Sequence, residues 1–91
     1  MLKLTRKVEY ALIALRYMQG KSPELVSSTK EIATKYNIPL EILAKTLQHL
    51  AKENIIEPIN GPRGGYRLKA HLDDINLVEF FERVEGPLGL S

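Results

Sequence analysis

Along the chain, apolar and polar positions change from a helical repeat to a two-residue alternation and back again. From about residue 5 to 19, Val8, Leu12, Leu15 and Met18 recur at helical spacing, with Ala11 and Ala14 beside them. Thr5 is placed to cap the start of this helix and Gly20 to stop it. A loop, Lys21-Ser22-Pro23-Glu24, leads to Leu25-Val26-Ser27, a candidate short strand that would pair with a later hairpin. Ser28-Thr29-Lys30-Glu31 matches a capping box, with serine at the N-cap and glutamate three residues on. The helix it opens runs to about Tyr36 and is expected to bury Ile32, Ala33 and Tyr36. Asn37-Ile38 forms a turn, and Pro39 suits the first position of the next helix, where its missing N–H is not needed. That helix reaches about Lys52. Leu40, Leu43, Leu47 and Leu50 form its apolar stripe, and Glu41, Lys45, Gln48 and Lys52 its wet face.

The period then shortens. Ile55-Ile56 and Ile59 precede Gly61-Pro62-Arg63-Gly64-Gly65, after which Tyr66, Leu68 and Ala70 alternate with Arg67 and Lys69. This is the signature of a β-hairpin, with glycines free to take positive φ where the strands reverse. A last helix is capped by Asn76, with Glu79 three positions on. It carries Leu77, Val78, Phe80, Phe81 and Val84, and ends at Gly86-Pro87. The order is helix, short strand, helix, turn, helix, hairpin, helix. The second and third helices make a helix-turn-helix, and the hairpin behind them makes a winged helix. The fold expected is α+β, mostly helical with a small antiparallel hairpin. One domain is expected over residues 1–86, followed by a tail at 87–91.

Composition narrows the chemistry. The chain has 91 residues, 44% apolar and 26% charged, with a net charge of only +2. That suits one small globular domain and rules out a polycation, so any nucleic-acid argument rests on where the charges sit. With no cysteine there is no disulfide, thiolate metal site or iron–sulfur cluster, which suits a cytoplasmic protein. No run approaches the roughly 18 apolar residues of a membrane span, and no signal sequence is apparent. His49 and His71 have no second ligand at a useful spacing, so no metal and no cofactor is expected. The glycine loop lacks the G-x-G-x-x-G and Gly-Lys-Ser/Thr patterns of nucleotide loops. Asp73-Asp74 are adjacent and point apart, and no nucleophile–base pair stands out, so no enzyme activity is expected.

Three groups of residues carry the remaining chemistry. On the third helix, Glu41, Ala44, Lys45, Gln48 and His49 form a face that fits a major groove. There Gln pairs with adenine, Lys with guanine, and Glu accepts from cytosine. At the hairpin tip, Arg63 stands between small residues with open access to a phosphate or the minor groove, and Arg67 and Lys69 follow it. At the N-terminus, Lys3, Arg6 and Lys7 cluster at a helix start, where the helix dipole gives cations no benefit. Each group taken alone also reads as ordinary solvated charge. A helix-turn-helix running into a basic hairpin favours a DNA reader.

The segments Leu4-Thr5-Arg6-Lys7…Tyr10-Ala11-Leu12, Glu31-Ile32-Ala33…Asn37-Ile38-Pro39…Leu43, and above all Asn60-Gly61-Pro62-Arg63-Gly64-Gly65-Tyr66-Arg67-Leu68, carry a family resemblance. So does the run Ile75-Asn76-Leu77-Val78-Glu79 through Val84-Glu85-Gly86. The chain resembles the DNA-binding domain of the Rrf-two family of bacterial winged-helix regulators. That family includes the iron–sulfur assembly, nitric-oxide-sensing and cysteine-metabolism repressors. The resemblance implies a homodimeric transcription regulator that reads a palindromic operator in double-stranded DNA. It places Glu41 and Ala44 at the family's base-reading positions and Asn60 at its wing arginine position. Asn60 weakens the expected minor-groove contact, which Arg63 can replace, and Ala44 offers only a methyl group. The family's cluster cysteines and long dimerisation helix lie in a segment beyond Gly86, and the sequence to Ser91 has neither. Tyr17, Phe80 and Phe81 are therefore expected to supply a weak pairing surface. The reading from a different class is a winged-helix protein-interaction module without DNA binding, with an apolar patch around Ile42 as its mark.

Overall fold

A computed structural model describes residues 5–21, 25–71 and 74–85 of the chain. Its elements are α1 (Arg6–Gln19), α2 (Thr29–Tyr36), α3 (Leu40–Lys52), β1 (Ile56–Ile59), β2 (Gly65–Leu68) and α4 (Leu77–Glu85). The expected caps form. Thr5 Oγ1 accepts from Val8 N, and Ser28 and Glu31 make both bonds of the capping box. Asn76 Oδ1 accepts from Val78 N at 2.8 Å and Glu79 N at 3.2 Å. The stop at Gly86-Pro87 and the tail lie outside the described residues.

One core joins the helices to the base of the hairpin. Val8, Ala11, Ala14, Leu15 and Met18 of α1 meet Ile32, Ala33, Ile38, Leu43, Leu47, Leu50, Ile55, Ile56, Phe80 and Val84. The buried row of α1 is Val8, Ala11, Leu15 and Met18, which leaves Leu12 beside it and exposed. The core-facing side of α3 leans toward Thr46 rather than Leu40. Thr46 is buried, its hydroxyl donating to the Ile42 carbonyl at 2.9 Å. Leu40 is accordingly 51% exposed and does not belong to the stripe expected of it. Tyr36, also expected inside, is 39% exposed, and its ring meets Tyr17 edge-on at 6.0 Å. Pro39 stands one residue earlier than expected. It occupies the N-cap place of α3, its carbonyl accepting from Leu43 N at 3.1 Å.

The hairpin pairs Ile56 with Leu68, Glu57 with Arg67, Pro58 with Tyr66 and Ile59 with Gly65. The strand expected at residues 25–27 contracts to a single bridge. Ser27 and Tyr66 exchange N–H···O bonds of 2.8 Å in both directions. Tyr66 thus spends its backbone groups on Ser27, so Pro58 opposite it has no ladder bond to donate. A side chain at Gly65 would not fit, because a Cβ there would lie 2.4 Å from the Ser27 carbonyl oxygen. Gly61 takes φ +117° where the chain turns.

Two polar ties orient α4. Thr5 Oγ1 donates to Glu85 Oε1, and Arg83 reaches both the side chain and the backbone carbonyl of Glu53. Phe80 is 3% exposed, so it belongs to the core and cannot serve the pairing surface expected of it.

Candidate nucleic-acid interface

The two helices of the helix-turn-helix start differently. At α2, Glu31 accepts from Ser28 N at 2.8 Å, from Tyr17 Oη at 2.6 Å and from Lys21 Nζ at 2.7 Å. Burial pushes the Glu31 carboxyl up, but these donors outweigh it and hold it at about 2. The same bond to Glu31 raises the Tyr17 hydroxyl above its ordinary value. At α3 no side chain caps the helix. Its first N–H groups end at an exposed surface formed by Pro39, Leu40, Glu41 and Ile42. Glu41, Lys45 and Gln48 share one exposed face of α3, and within the described residues none of them makes an ion pair or a side-chain hydrogen bond. Ala44 is half-buried at the edge of that face.

The wing divides into a tied stem and a free tip. Arg67 is directly opposite Glu57, with Nε at 2.8 Å and Nη2 at 2.7 Å from the same carboxylate oxygen. Its charge is therefore largely matched within the hairpin. Lys69 Nζ lies 3.5 Å from Asn54 Oδ1 at the base. Asn60 and Arg63 stand exposed in the connecting loop, which a 3.0 Å bond from Gly64 N to the Gly61 carbonyl closes. Arg63 has no ion pair within the described residues, and it is the cation at the wing tip.

At the start of α1, Arg6 is highly exposed and only loosely paired with Glu9 at 3.6 Å. It lines a shallow cleft with Tyr10, Asn37 and Ile38, which brings it beside the turn that leads into α3. Lys7 is half-buried, and Lys3 lies outside the described residues. The structure thus places Arg6 beside the start of α3, and withdraws Arg67 from the set of free cations. The sequence reading missed the Glu57–Arg67 pair. The signal was present, since a five-residue connection over 60–64 puts these two residues in register. It also missed the Tyr17–Lys21–Glu31 cluster, which joins residues from two helices and a loop.

A helix-turn-helix whose second helix presents an unpaired polar face, followed directly by a two-stranded wing, defines a winged helix-turn-helix protein. The Rrf2 family model, described as an iron-dependent transcriptional regulator, matches residues 4–91. The chain therefore belongs to the Rrf2, or Rrf-two, family of transcription regulators. It is 35% identical over 89 residues to the HTH-type transcriptional regulator NsrR of Halalkalibacterium halodurans, covering 98% of this chain and 61% of that protein. It is 33% identical over 87 residues to the regulator IscR of Cereibacter sphaeroides, covering 92% of this chain and 56% of that one. Among solved structures it is similar to CymR, the global cysteine regulator of B. subtilis, with a TM-score of 0.84 and 30% identity over 96% of this chain and 67% of that chain. The chain thus spans between about half and two thirds of the length of these relatives.

The iron of the family description finds no donor set in these residues. The sequence contains no cysteine, and among the described residues no three His, Asp or Glu side chains converge.

Proposed function

We propose that this chain is the operator-reading part of a bacterial transcription regulator. In this reading α3 enters the major groove through Glu41, Lys45 and Gln48, and the wing tip places Asn60 and Arg63 on the minor groove or the phosphates. The reading domain spans residues 1–86, and Lys3, Arg6 and Lys7 contact the backbone beside α3. The observation that carries the reading is the distribution of free charge. Arg67 in the wing stem and Lys21 after α1 are matched by Glu57 and Glu31, whereas Lys45 and Arg63 are exposed and, among the described residues, unpaired. The regulator acts in the cytoplasm as a homodimer on a palindrome, with half-sites roughly one helical turn apart, about 34–36 Å. The 91-residue chain alone is expected to pair weakly.

The test is a salt series on a duplex selected from a random pool. Arg63→Ala is expected to weaken binding about tenfold at low salt and to reduce the slope of log affinity against log salt by about 0.9, as loss of one phosphate contact requires. Binding unchanged at every salt concentration would refute the wing's part in the reading.

A further inference from the structure

Two of the large apolar side chains left in water by the fold, Leu40 at 51% and Ile42 at 45% exposure, flank Glu41 in the first turn of α3. Neither is needed by the core, which α3 serves through Leu43, Thr46, Leu47 and Leu50. Ile42 also stands one turn before Lys45 on the same ridge of the helix, since residues three apart are neighbours on a helical surface. Its backbone is held in place, because the Ile42 carbonyl accepts from the buried Thr46 hydroxyl. An exposed β-branched side chain therefore stands beside Lys45, at the edge of the face that Glu41, Lys45 and Gln48 share. The major groove offers one apolar feature to such a side chain, the C5-methyl group of thymine. Ala44, the other residue with a methyl to offer, is half-buried and already shares its surface with the protein.

We infer that Ile42 is a specificity residue that reads thymine by packing against its C5-methyl group, beside the polar contacts of Glu41 and Lys45. This rests on the reading of α3 as the major-groove helix. It turns the exposed apolar patch, which would otherwise point to a protein partner, into part of the DNA interface.

The test uses the duplex selected above and replaces its thymines one at a time by deoxyuridine, which removes the methyl group and leaves the pairing edge unchanged. For the parent protein, binding is expected to weaken about fourfold at one or two positions of each half-site, the effect of losing one buried methyl-sized contact. In Ile42→Ala the same positions become insensitive to the replacement, while sensitivity to guanine and cytosine substitutions elsewhere remains. Circular dichroism melting of the variant confirms that it is folded. A parent indifferent to deoxyuridine at every position would overturn the inference. So would an Ile42→Ala variant as sensitive as the parent, or sensitivity abolished by Ala44→Ser instead. If no duplex is enriched from the pool at all, the α3 reading itself fails. That outcome is distinct from selective binding that ignores thymine methyls.

Discussion

Glu31 and Glu41 are first-turn glutamates of successive helices, and the fold treats them oppositely. Glu31 is enclosed by a backbone N–H, a tyrosine hydroxyl and a lysine ammonium. Glu41 is exposed and, among the described residues, unpartnered, although Lys45 lies four residues on. The same division runs through the caps: α2 has a complete capping box, and α3 has no side-chain cap. A helix that only supports its neighbours satisfies its terminal groups internally, because unmet N–H groups cost stability. The contrast teaches that both helices dock through their inner faces, but the first turn of α2 is closed by the protein's own groups whereas that of α3 is left open.

Substitutions can break that contrast, and the largest effect is expected on the inner face of α3 itself. Leu47 is fully buried, and Leu47→Ala should lower stability by about 2–5 kcal/mol in urea unfolding. A loss below about 1 kcal/mol would mean that α3 is not docked where the structure puts it. Next comes Glu31→Ala, which removes half of the capping box and the partner of Tyr17 and Lys21. About 1–2 kcal/mol of stability should go, with base preference in a selection experiment unaltered.

Acid sharpens the same point. The Glu31 carboxyl titrates at about 2 when folded and near about 4.3 when unfolded. Its contribution is therefore fully present above the unfolded value and disappears as pH falls through the folded one. The melting temperature of the parent should drop more steeply between about pH 4.5 and 2 than that of Glu31→Gln. Parallel curves would show that the cluster adds nothing.

The smallest stability effect belongs to Glu41→Ala, expected within about 0.5 kcal/mol of the parent because the side chain is exposed and, among the described residues, makes no hydrogen bond or ion pair. Its consequence should appear instead in the selected base sequence. A destabilisation as large as that of Glu31→Ala would erase the distinction between the two helices.

Local signals made most of the architecture legible. The capping box at Ser28 and Glu31, the Asn76 cap and the glycine-rich turn at 61–65 each depend on residues within a few positions of one another, and each forms as read. Errors arose where a periodic pattern had to choose between adjacent rows. Leu12 and Leu40 fit a helical stripe on paper, yet Ala11 and Thr46 occupy the buried rows, since packing area and a satisfied hydroxyl decide which side turns inward. Tyr36 went out for a comparable reason: its ring finds Tyr17 at the surface. Of the residues proposed for the site, Glu41, Lys45, Gln48 and Arg63 are exposed and, among the described residues, unpaired, whereas Ala44 and His49 are half-buried and Arg67 is tied to Glu57.

What the sequence determined by itself was therefore the four helices and the hairpin, the starts of α1, α2 and α4, and the position of a basic turn behind a helix-turn-helix. Capping, turn chemistry and hydrophobic period act over short stretches of chain, so they can be read there. Only the tertiary structure decided which charges remain available and which apolar side chains stay in water. Lys21 finds Glu31 across ten residues and Arg67 finds Glu57 across a hairpin, while Leu40 and Ile42 stay uncovered beside a full core. Ion pairing and burial depend on what the folded chain brings within a few ångströms, and no local pattern specifies that.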